Sequence, residues 1–91
     1  MSVNVKIPTP LRGLTRNQDL VQADGGSLAE AISGLDGSYP GFRERLCDEQ
    51  GQLRRFVNVY VNGEDVRFLS GLQTPLKQGD EVSIVPAVAG G

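Results

Sequence analysis

The segment that most restricts the fold is a run of alternating residues that ends in a tight-turn dipeptide. From Val57 to Gly63 the sequence reads VNVYVNG, with valine at every second position up to Val61. Because successive side chains of a β-strand point to opposite faces, this pattern predicts a strand with one buried face. Asn62-Gly63 is typical of the two-residue type I′ hairpin turn, whose central residues need positive φ. We place the start of this strand at Leu53 and expect the return segment to carry Val66 and Phe68.

Three further segments have the composition of strands. The first runs from Val3 to Ile7, where aliphatic residues alternate with polar ones until a proline follows, which cannot donate to a neighbouring strand. A second short strand is predicted at Leu20-Val21 and should pair with the first as a hairpin. A last strand is predicted from Glu81 to Val85, where it is closed by Pro86.

A capping box and an apolar stripe predict a helix between the second and third strands. Ser27 and Glu30 have the spacing at which each side chain can accept a hydrogen bond from the other's backbone amide. Apolar residues follow at i, i+4 and i+7, on one helical face: Leu28, Ile32 and Leu35. We expect the helix to end at Gly37 and residues 42–46 to form a short second helix.

The order of these elements predicts an α+β protein in which one main helix covers a mixed sheet. The chain has 91 residues, the length of one small domain. We place that domain at residues 1–86. Residues 87–91 have no predicted packing role and form a separate carboxyl-terminal tail.

Composition removes several classes of function. The chain has no histidine and one cysteine, so it lacks the commonest general base and cannot form an internal disulfide or thiolate cluster. A formal net charge of −2 is unfavourable for binding nucleic acid, which requires a basic surface. The amino terminus lacks a signal-peptide pattern, and no segment is apolar enough to span a membrane. We therefore expect a cytoplasmic protein without a metal.

The two final glycines, Gly90 and Gly91, are the most informative feature for function. Because glycine has no Cβ, such a tail can enter a narrow channel of another protein. Residues 87–91, if extended, reach about 17 Å beyond Pro86. The terminal carboxylate is an anion at neutral pH and a poor electrophile, so acyl transfer from it needs activation, for example as an acyl-adenylate. The pattern indicates a terminus that serves as a substrate, and a functionless glycine-rich end is the alternative.

Two segments carry a resemblance to a known family. VNVYVNGEDVRF at 57–68 and GDEVSIVPAVAGG at 79–91 resemble the ubiquitin-like sulfur-carrier proteins, the ThiS/MoaD-like carriers. The longer segment RFVNVYVNGEDVRF and the ending PAVAGG are most similar to the carriers of cysteine synthesis. Ala87 departs from the PPVAGG ending that is typical of molybdopterin carriers. The resemblance spans essentially the whole chain and implies a β-grasp (ubiquitin-like) fold.

The resemblance also implies a chemistry. An ATP-dependent adenylating enzyme, related to ubiquitin-activating enzymes, would form an acyl-adenylate at Gly91, and sulfur would replace the adenylate to give a thiocarboxylate. Gly90 would let the tail thread into partner enzymes. The residues gripped by partners would be Pro86, Ala87, Val88 and Ala89, with Val88 as the apolar anchor. The chain would be a cosubstrate, not an enzyme, and would hold no cofactor of its own.

The sequence does not identify the enzyme that would accept the sulfur. In the cysteine-synthesis branch the resemblance implies a pyridoxal-phosphate-dependent O-phosphoserine sulfhydrylase, followed by a zinc metalloprotease that releases the product. Thiazole-synthase-like enzymes of secondary metabolism, thiamin synthesis, and a permanent subunit role in molybdopterin synthase are alternatives. A ubiquitin-like modifier of target lysines and a plain interaction module are two more.

Three residues outside the tail are candidates for partner binding. Phe56 and Tyr60 share one face of the predicted strand and we expect Val85 to be adjacent in the sheet, so a mixed aromatic and polar docking surface is predicted near the tail. Packing beneath residues 69–78 is the alternative. Cys47 is followed by two acidic residues, which disfavour a thiolate, so we expect a small buried residue and not a catalytic thiol.

Overall fold

The computed structural model describes residues 2–86, and its centre is a five-stranded mixed sheet in the order β2-β1-β5-β3-β4. Strands β1 (Ser2–Lys6) and β2 (Leu20–Asp24) pair antiparallel, which confirms the predicted hairpin. The sequence between them includes a short 3₁₀ turn at Thr9–Leu11.

The last strand is central in the sheet. Strand β5 (Glu81–Pro86) lies parallel to β1 and antiparallel to β3 (Val57–Val61), while β4 (Glu64–Asp65) pairs with β3 at the edge. The mixed sheet predicted from the element order is thereby confirmed. A two-residue β4 also leaves much of the outer edge of β3 without a strand partner among residues 2–86.

Helix α1 (Leu28–Ser38) covers one face of the sheet, and the short α2 (Phe42–Leu46) follows it, as predicted. The Ser27 hydroxyl accepts from the Glu30 amide at 3.3 Å, which is half of the predicted capping box. The other half is wrong, because the Glu30 carboxylate accepts from the Gly26 amide at 2.9 Å. The predicted end at Gly37 is also wrong: the helix continues to Ser38, and the Tyr39 amide donates to the Leu35 carbonyl.

The core lies between the helices and the inner sheet face. Within the described part of the chain its members are 20 buried hydrophobic residues, and the largest fully buried one is Phe42 at the start of α2. Each buried side chain of this size contributes roughly 1.5–3 kcal/mol by leaving water. The core encloses a cavity of only about 10 Å³, the room of one water molecule. No helix within residues 2–86 is long and apolar enough to cross a membrane.

Two strand boundaries differ from the sequence prediction. Strand β3 begins at Val57, not Leu53, because the chain before it turns: the Arg54 amide donates to the Leu46 carbonyl and the Val57 amide to Arg54. After the Asn62-Gly63 turn, whose φ values of 51° and 87° confirm its type, the return strand stops at Asp65. The next residues form a 3₁₀ turn, Val66–Phe68, in which the Asp65 carboxylate accepts from the Arg67 amide at 2.8 Å.

A carboxylate joins the two turns that flank β3 and β5. Asp80 accepts from the Asn62 side-chain amide at 3.0 Å and from the Lys77 backbone amide at 2.8 Å. These hydrogen bonds, that of Asn62 first, hold the pKa of Asp80 below its ordinary value of 3.8. The ionised carboxylate is therefore favoured in the folded state over the unfolded one.

We expect the Asp80→Ala variant to lose stability in a pH-dependent way. A lowered folded-state pKa stabilises above the unfolded pKa, and this contribution disappears as the pH falls through the folded pKa. The free energy of unfolding at neutral pH should fall by only about 1 kcal/mol, because water competes for partly exposed hydrogen bonds. Urea unfolding at pH 7, 5 and 3 measures it, and the difference from the parent protein should shrink below pH 4. Asp19→Ala, an exposed aspartate, is the control; an equal, pH-independent loss in both variants would contradict the prediction.

Candidate functional site

The candidate site is the end of the sheet from which the carboxyl-terminal tail leaves. Pro86, the last residue of β5, is the register partner of Val57, the first residue of β3. On its other side β5 pairs with β1 only as far as Ser83, so its last residues extend past the register with β1. The predicted tail residues Ala87, Val88, Ala89, Gly90 and Gly91 lie outside the described residues.

The outer face of β3 and β5 brings predicted binding residues together. Val85 is the register partner of Asn58, and Ser83 is the partner of Tyr60. Since alternate residues of both strands are buried against the helices, these four side chains belong to the opposite face. Val85 is 45% exposed and Tyr60 is half-buried. The prediction that Val85 lies beside this strand is confirmed.

Phe56 is placed differently from its prediction. It lies in the turn before β3, so the statement that it shares a strand face with Tyr60 is wrong. The physical reason is the hydrogen bond from the Val57 amide to the Arg54 carbonyl, which closes that turn. Phe56 is 57% exposed, so it is not covered by the segment 69–78 either. It remains an exposed aromatic residue next to the Val57–Pro86 pair.

Sequence reasoning missed a second exposed aromatic residue and an arginine beside it. Phe68 was predicted on a strand but lies at the end of the 3₁₀ turn and is 87% exposed. Arg67, next to it, donates from Nη1 to the Asn58 side-chain oxygen and from Nη2 to the Val57 carbonyl at 3.0 Å. The detectable signal is Asp65 two positions before Arg67, a spacing typical of an Asx turn.

These residues form one surface around the start of the tail. Asn58 is next to Val85 across the strands and is hydrogen-bonded to Arg67, which also holds the chain on both sides of Phe56. We call this the exit surface, and its members are Phe56, Asn58, Arg67, Phe68 and Val85. Large apolar side chains clustered at the surface of a small domain are typical of a protein-binding site.

Cys47 does not belong to this surface. It is buried, with 5% exposure, which confirms the prediction of a buried residue. Burial raises the pKa of its thiol, and this effect together with that of Asp48 outweighs the opposing influence of Arg43 and Arg54. The thiol therefore stays protonated at neutral pH, unlike a reactive cysteine. Among residues 2–86 no group of three or more possible metal-ligating side chains occurs.

A family profile and two known proteins match all or most of the chain. The ThiS family profile matches residues 5–91. The chain is 54% identical over 93 aligned positions to the sulfur carrier protein CysO of Mycobacterium tuberculosis, and the alignment covers all of both proteins. Small archaeal modifier protein 3 of Haloferax volcanii is 40% identical over 68 residues, which are 75% of this chain and 73% of the archaeal protein.

A solved structure of a similar protein, determined in a complex, agrees with this result. In the crystal structure of the Amycolatopsis orientalis BexX/CysO complex, one chain superimposes with a TM-score of 0.92 at 47% identity. The match covers 98% of this chain and 99% of that one. The predicted β-grasp architecture is confirmed by this superposition and by the strand order. These similar proteins are thus carriers and modifiers of ubiquitin-like fold.

Proposed function

This chain belongs to the ThiS family and is a sulfur carrier, a protein cosubstrate and not an enzyme, and we propose that its sulfur is held as a thiocarboxylate at Gly91. The pathway we propose for it is cysteine biosynthesis. The observation that carries the proposal is full-length identity of 54% to a sulfur carrier, combined with a terminal Gly90-Gly91.

The proposed chemistry has two steps, the first at the α-phosphorus of ATP and the second at the carboxyl carbon of Gly91. A carboxylate oxygen of Gly91 attacks the α-phosphorus of ATP, and pyrophosphate leaves, so a mixed anhydride forms. A sulfur nucleophile then attacks the carbonyl carbon, the bond to AMP breaks, and sulfur takes its place. Activation is necessary because an ionised carboxylate, with a reference pKa of about 3.3–3.7, is a poor electrophile at neutral pH.

The chain's own part in this chemistry is to deliver its terminus. Residues 87–91, if extended, would reach about 17 Å beyond Pro86, far enough to enter an active site while the folded domain stays outside. The glycines have no Cβ, so the backbone can pass close to the walls of a channel. The preceding residues Pro86, Ala87, Val88 and Ala89 supply contacts for the channel, Val88 as its apolar anchor.

The proposed partners are those that the resemblance to the family implies. An ATP-dependent adenylating enzyme would load the carrier, and an O-phosphoserine sulfhydrylase or a thiazole-synthase-like enzyme would accept the sulfur. If the acceptor is the O-phosphoserine sulfhydrylase, a zinc metalloprotease would release the product. Pyridoxal phosphate and zinc would belong to those partners. The relative from Amycolatopsis orientalis occurs in a complex with BexX, which supports docking of a partner protein on this fold. We place the exchange in the cytoplasm, because loading consumes ATP.

The direct test of the proposed function is intact mass. The protein is incubated with ATP, a sulfide source and the adenylating enzyme of the same organism. We expect a mass gain equal to the difference between sulfur and oxygen, which disappears when ATP is omitted. An unchanged mass with an adenylating enzyme that is active on another carrier would overturn the proposal.

The exit surface gives a quantitative prediction. The Val85→Asp variant should raise the KM of the adenylating enzyme for the carrier about tenfold, because a charge replaces an apolar docking residue. Leu20→Asp is a matched control, since Leu20 is 49% exposed but lies on β2, at the other edge of the sheet. Initial rates at varied carrier concentration measure both. Equal KM values for the two variants would show that docking does not use the exit surface.

A second candidate function rests on the archaeal relative. Small archaeal modifier protein 3 covers 75% of this chain, so attachment of Gly91 to lysines of other proteins is the alternative. Digestion of native proteins and a search for branched Gly-Gly remnants on lysine distinguishes the two. Remnants in wild-type cells that vanish when the gene is deleted would favour the modifier function.

A further inference from the structure

The outer edge of β3 is only partly covered by β4. Strand β4 has two residues, and its register partners on β3 are Tyr60 and Val61. The first half of β3, from Val57 to Val59, therefore has no strand partner on this side within residues 2–86. Unpaired backbone groups at a sheet edge usually need a covering device, because they bind other strands.

The Arg67 guanidinium is that device. Its Nη2 donates to the Val57 carbonyl at 3.0 Å and to the Arg55 carbonyl at 3.3 Å, and Nη1 donates to the Asn58 side-chain oxygen. A single side chain thus joins the edge of β3 to its outer face. The planar guanidinium makes this possible, because it presents several donors in a fixed arrangement.

The position of Arg67 is itself determined locally. The Asp65 carboxylate accepts from the Arg67 amide at 2.8 Å and begins the 3₁₀ turn. Val66 in this turn is completely buried, so the turn is anchored in the core. The guanidinium therefore extends from a fixed base, and it holds residues 55–57 beside Pro86, the end of β5 that the tail follows.

We infer that Arg67 is a positioning residue for loading of the carboxyl terminus: it holds Phe56 in the orientation that the adenylating enzyme binds. Phe56 has carbonyls held by Arg67 on both sides, at Arg55 and Val57, and it is exposed beside the Val57–Pro86 pair. Without the guanidinium, three acceptors lose their hydrogen bonds to Arg67: the Arg55 carbonyl in the turn before β3, and the Val57 carbonyl and Asn58 side-chain oxygen at the start of β3. This inference rests on the proposed function for its kinetic consequence.

The test compares three arginine variants of the full chain. Arg67→Ala should raise the KM for the carrier about tenfold with kcat changed less than about twofold, because docking is impaired and the terminus is intact. Arg67→Lys should have an intermediate KM, since an ammonium cannot bridge the same acceptors. Arg45→Ala, which removes the same charge from an exposed position of α2, should leave KM unchanged.

A double variant separates positioning from direct contact with the partner. If Arg67 acts through Phe56, adding Phe56→Ala to Arg67→Ala should raise KM little further, because neighbouring effects through one group are not additive. Multiplication of the two effects would overturn the inference, as would equal KM values for Arg67→Ala and Arg45→Ala. Circular dichroism at the assay temperature checks that each variant is folded.

Hydrogen exchange gives a readout that does not depend on the proposed function. The Val57 amide, which donates to the Arg54 carbonyl, should exchange faster in Arg67→Ala, while the Val5 amide in β1 should not change. If wild-type protein is not adenylated, the proposed function fails, but exchange still decides whether Arg67 holds this segment. Unchanged exchange at Val57 would overturn the inference even if KM rises.

Discussion

Removal of Gly91 is expected to abolish formation of the thiocarboxylate while leaving the domain folded. The variant ends in Gly90, so its carboxylate lies about 3.5 Å short of the position that the adenylating enzyme requires. A misplacement of about 1 Å can cost roughly a hundredfold in rate, so no mass gain should be detectable. Intact mass after incubation with ATP, sulfide and the adenylating enzyme measures the effect.

The matched variant carries one additional alanine after Gly91. It retains both glycines but moves the carboxylate outward by one residue, and it should be equally inactive. The melting temperature of both variants should equal that of the parent, because neither variant changes a core residue of the described range 2–86. Full activity of the extended variant would show that the adenylating enzyme does not require the terminus at Gly91.

The Phe42→Ala variant is expected to have the largest effect on stability. Phe42 is completely buried at the start of α2, and deletion of a buried aromatic ring costs about 3–5 kcal/mol. A small domain has roughly 5–15 kcal/mol in total, so the variant should be close to unfolding. Urea unfolding followed by circular dichroism measures the free energy of unfolding.

Phe68→Ala is the control with the same change of side chain. Phe68 is 87% exposed, so its free energy of unfolding should change by less than about 0.5 kcal/mol. Phe42→Ala should lower the free energy of unfolding. Phe68→Ala should instead raise the KM of the adenylating enzyme for the carrier, since Phe68 lies in the exit surface. A large loss of stability in Phe68→Ala would mean that this ring is packed and does not belong to a docking surface.

The elements with a strict period were predictable from the sequence alone. Alternation located β1, β3 and β5, and Asn62-Gly63 identified the hairpin turn, because each pattern reflects purely local geometry. The predicted strand boundary was wrong where a hydrogen bond between residues distant in sequence determines where the strand begins. The Arg54 amide donates to the Leu46 carbonyl, a residue eight positions away, and no local pattern indicates that β3 therefore begins only at Val57.

The candidate site was predictable to a smaller extent. Val85 could be placed beside β3 because a strand of known period next to a known turn has few possible registers. Phe68 could not, since the alternation of Val66 and Phe68 also fits a strand, whereas a 3₁₀ turn buries the first and exposes the second. The role of Arg67 depends on two carbonyls more than nine residues away, which only the folded chain brings together.

The central position of β5 has a mechanical consequence. Force applied beyond Pro86 acts along the axis of a strand that is bonded on both sides, parallel to β1 and antiparallel to β3. Since interstrand hydrogen bonds lie across the strand direction, such a pull loads them in shear, and many must rupture together. An edge strand such as β2 is bonded on one side only, so the same axial pull would be resisted by fewer interstrand hydrogen bonds. A partner that draws in the carboxyl terminus therefore pulls on a strand that is bonded on both sides, so the domain is expected to resist this tension better than it would if an edge strand carried the terminus.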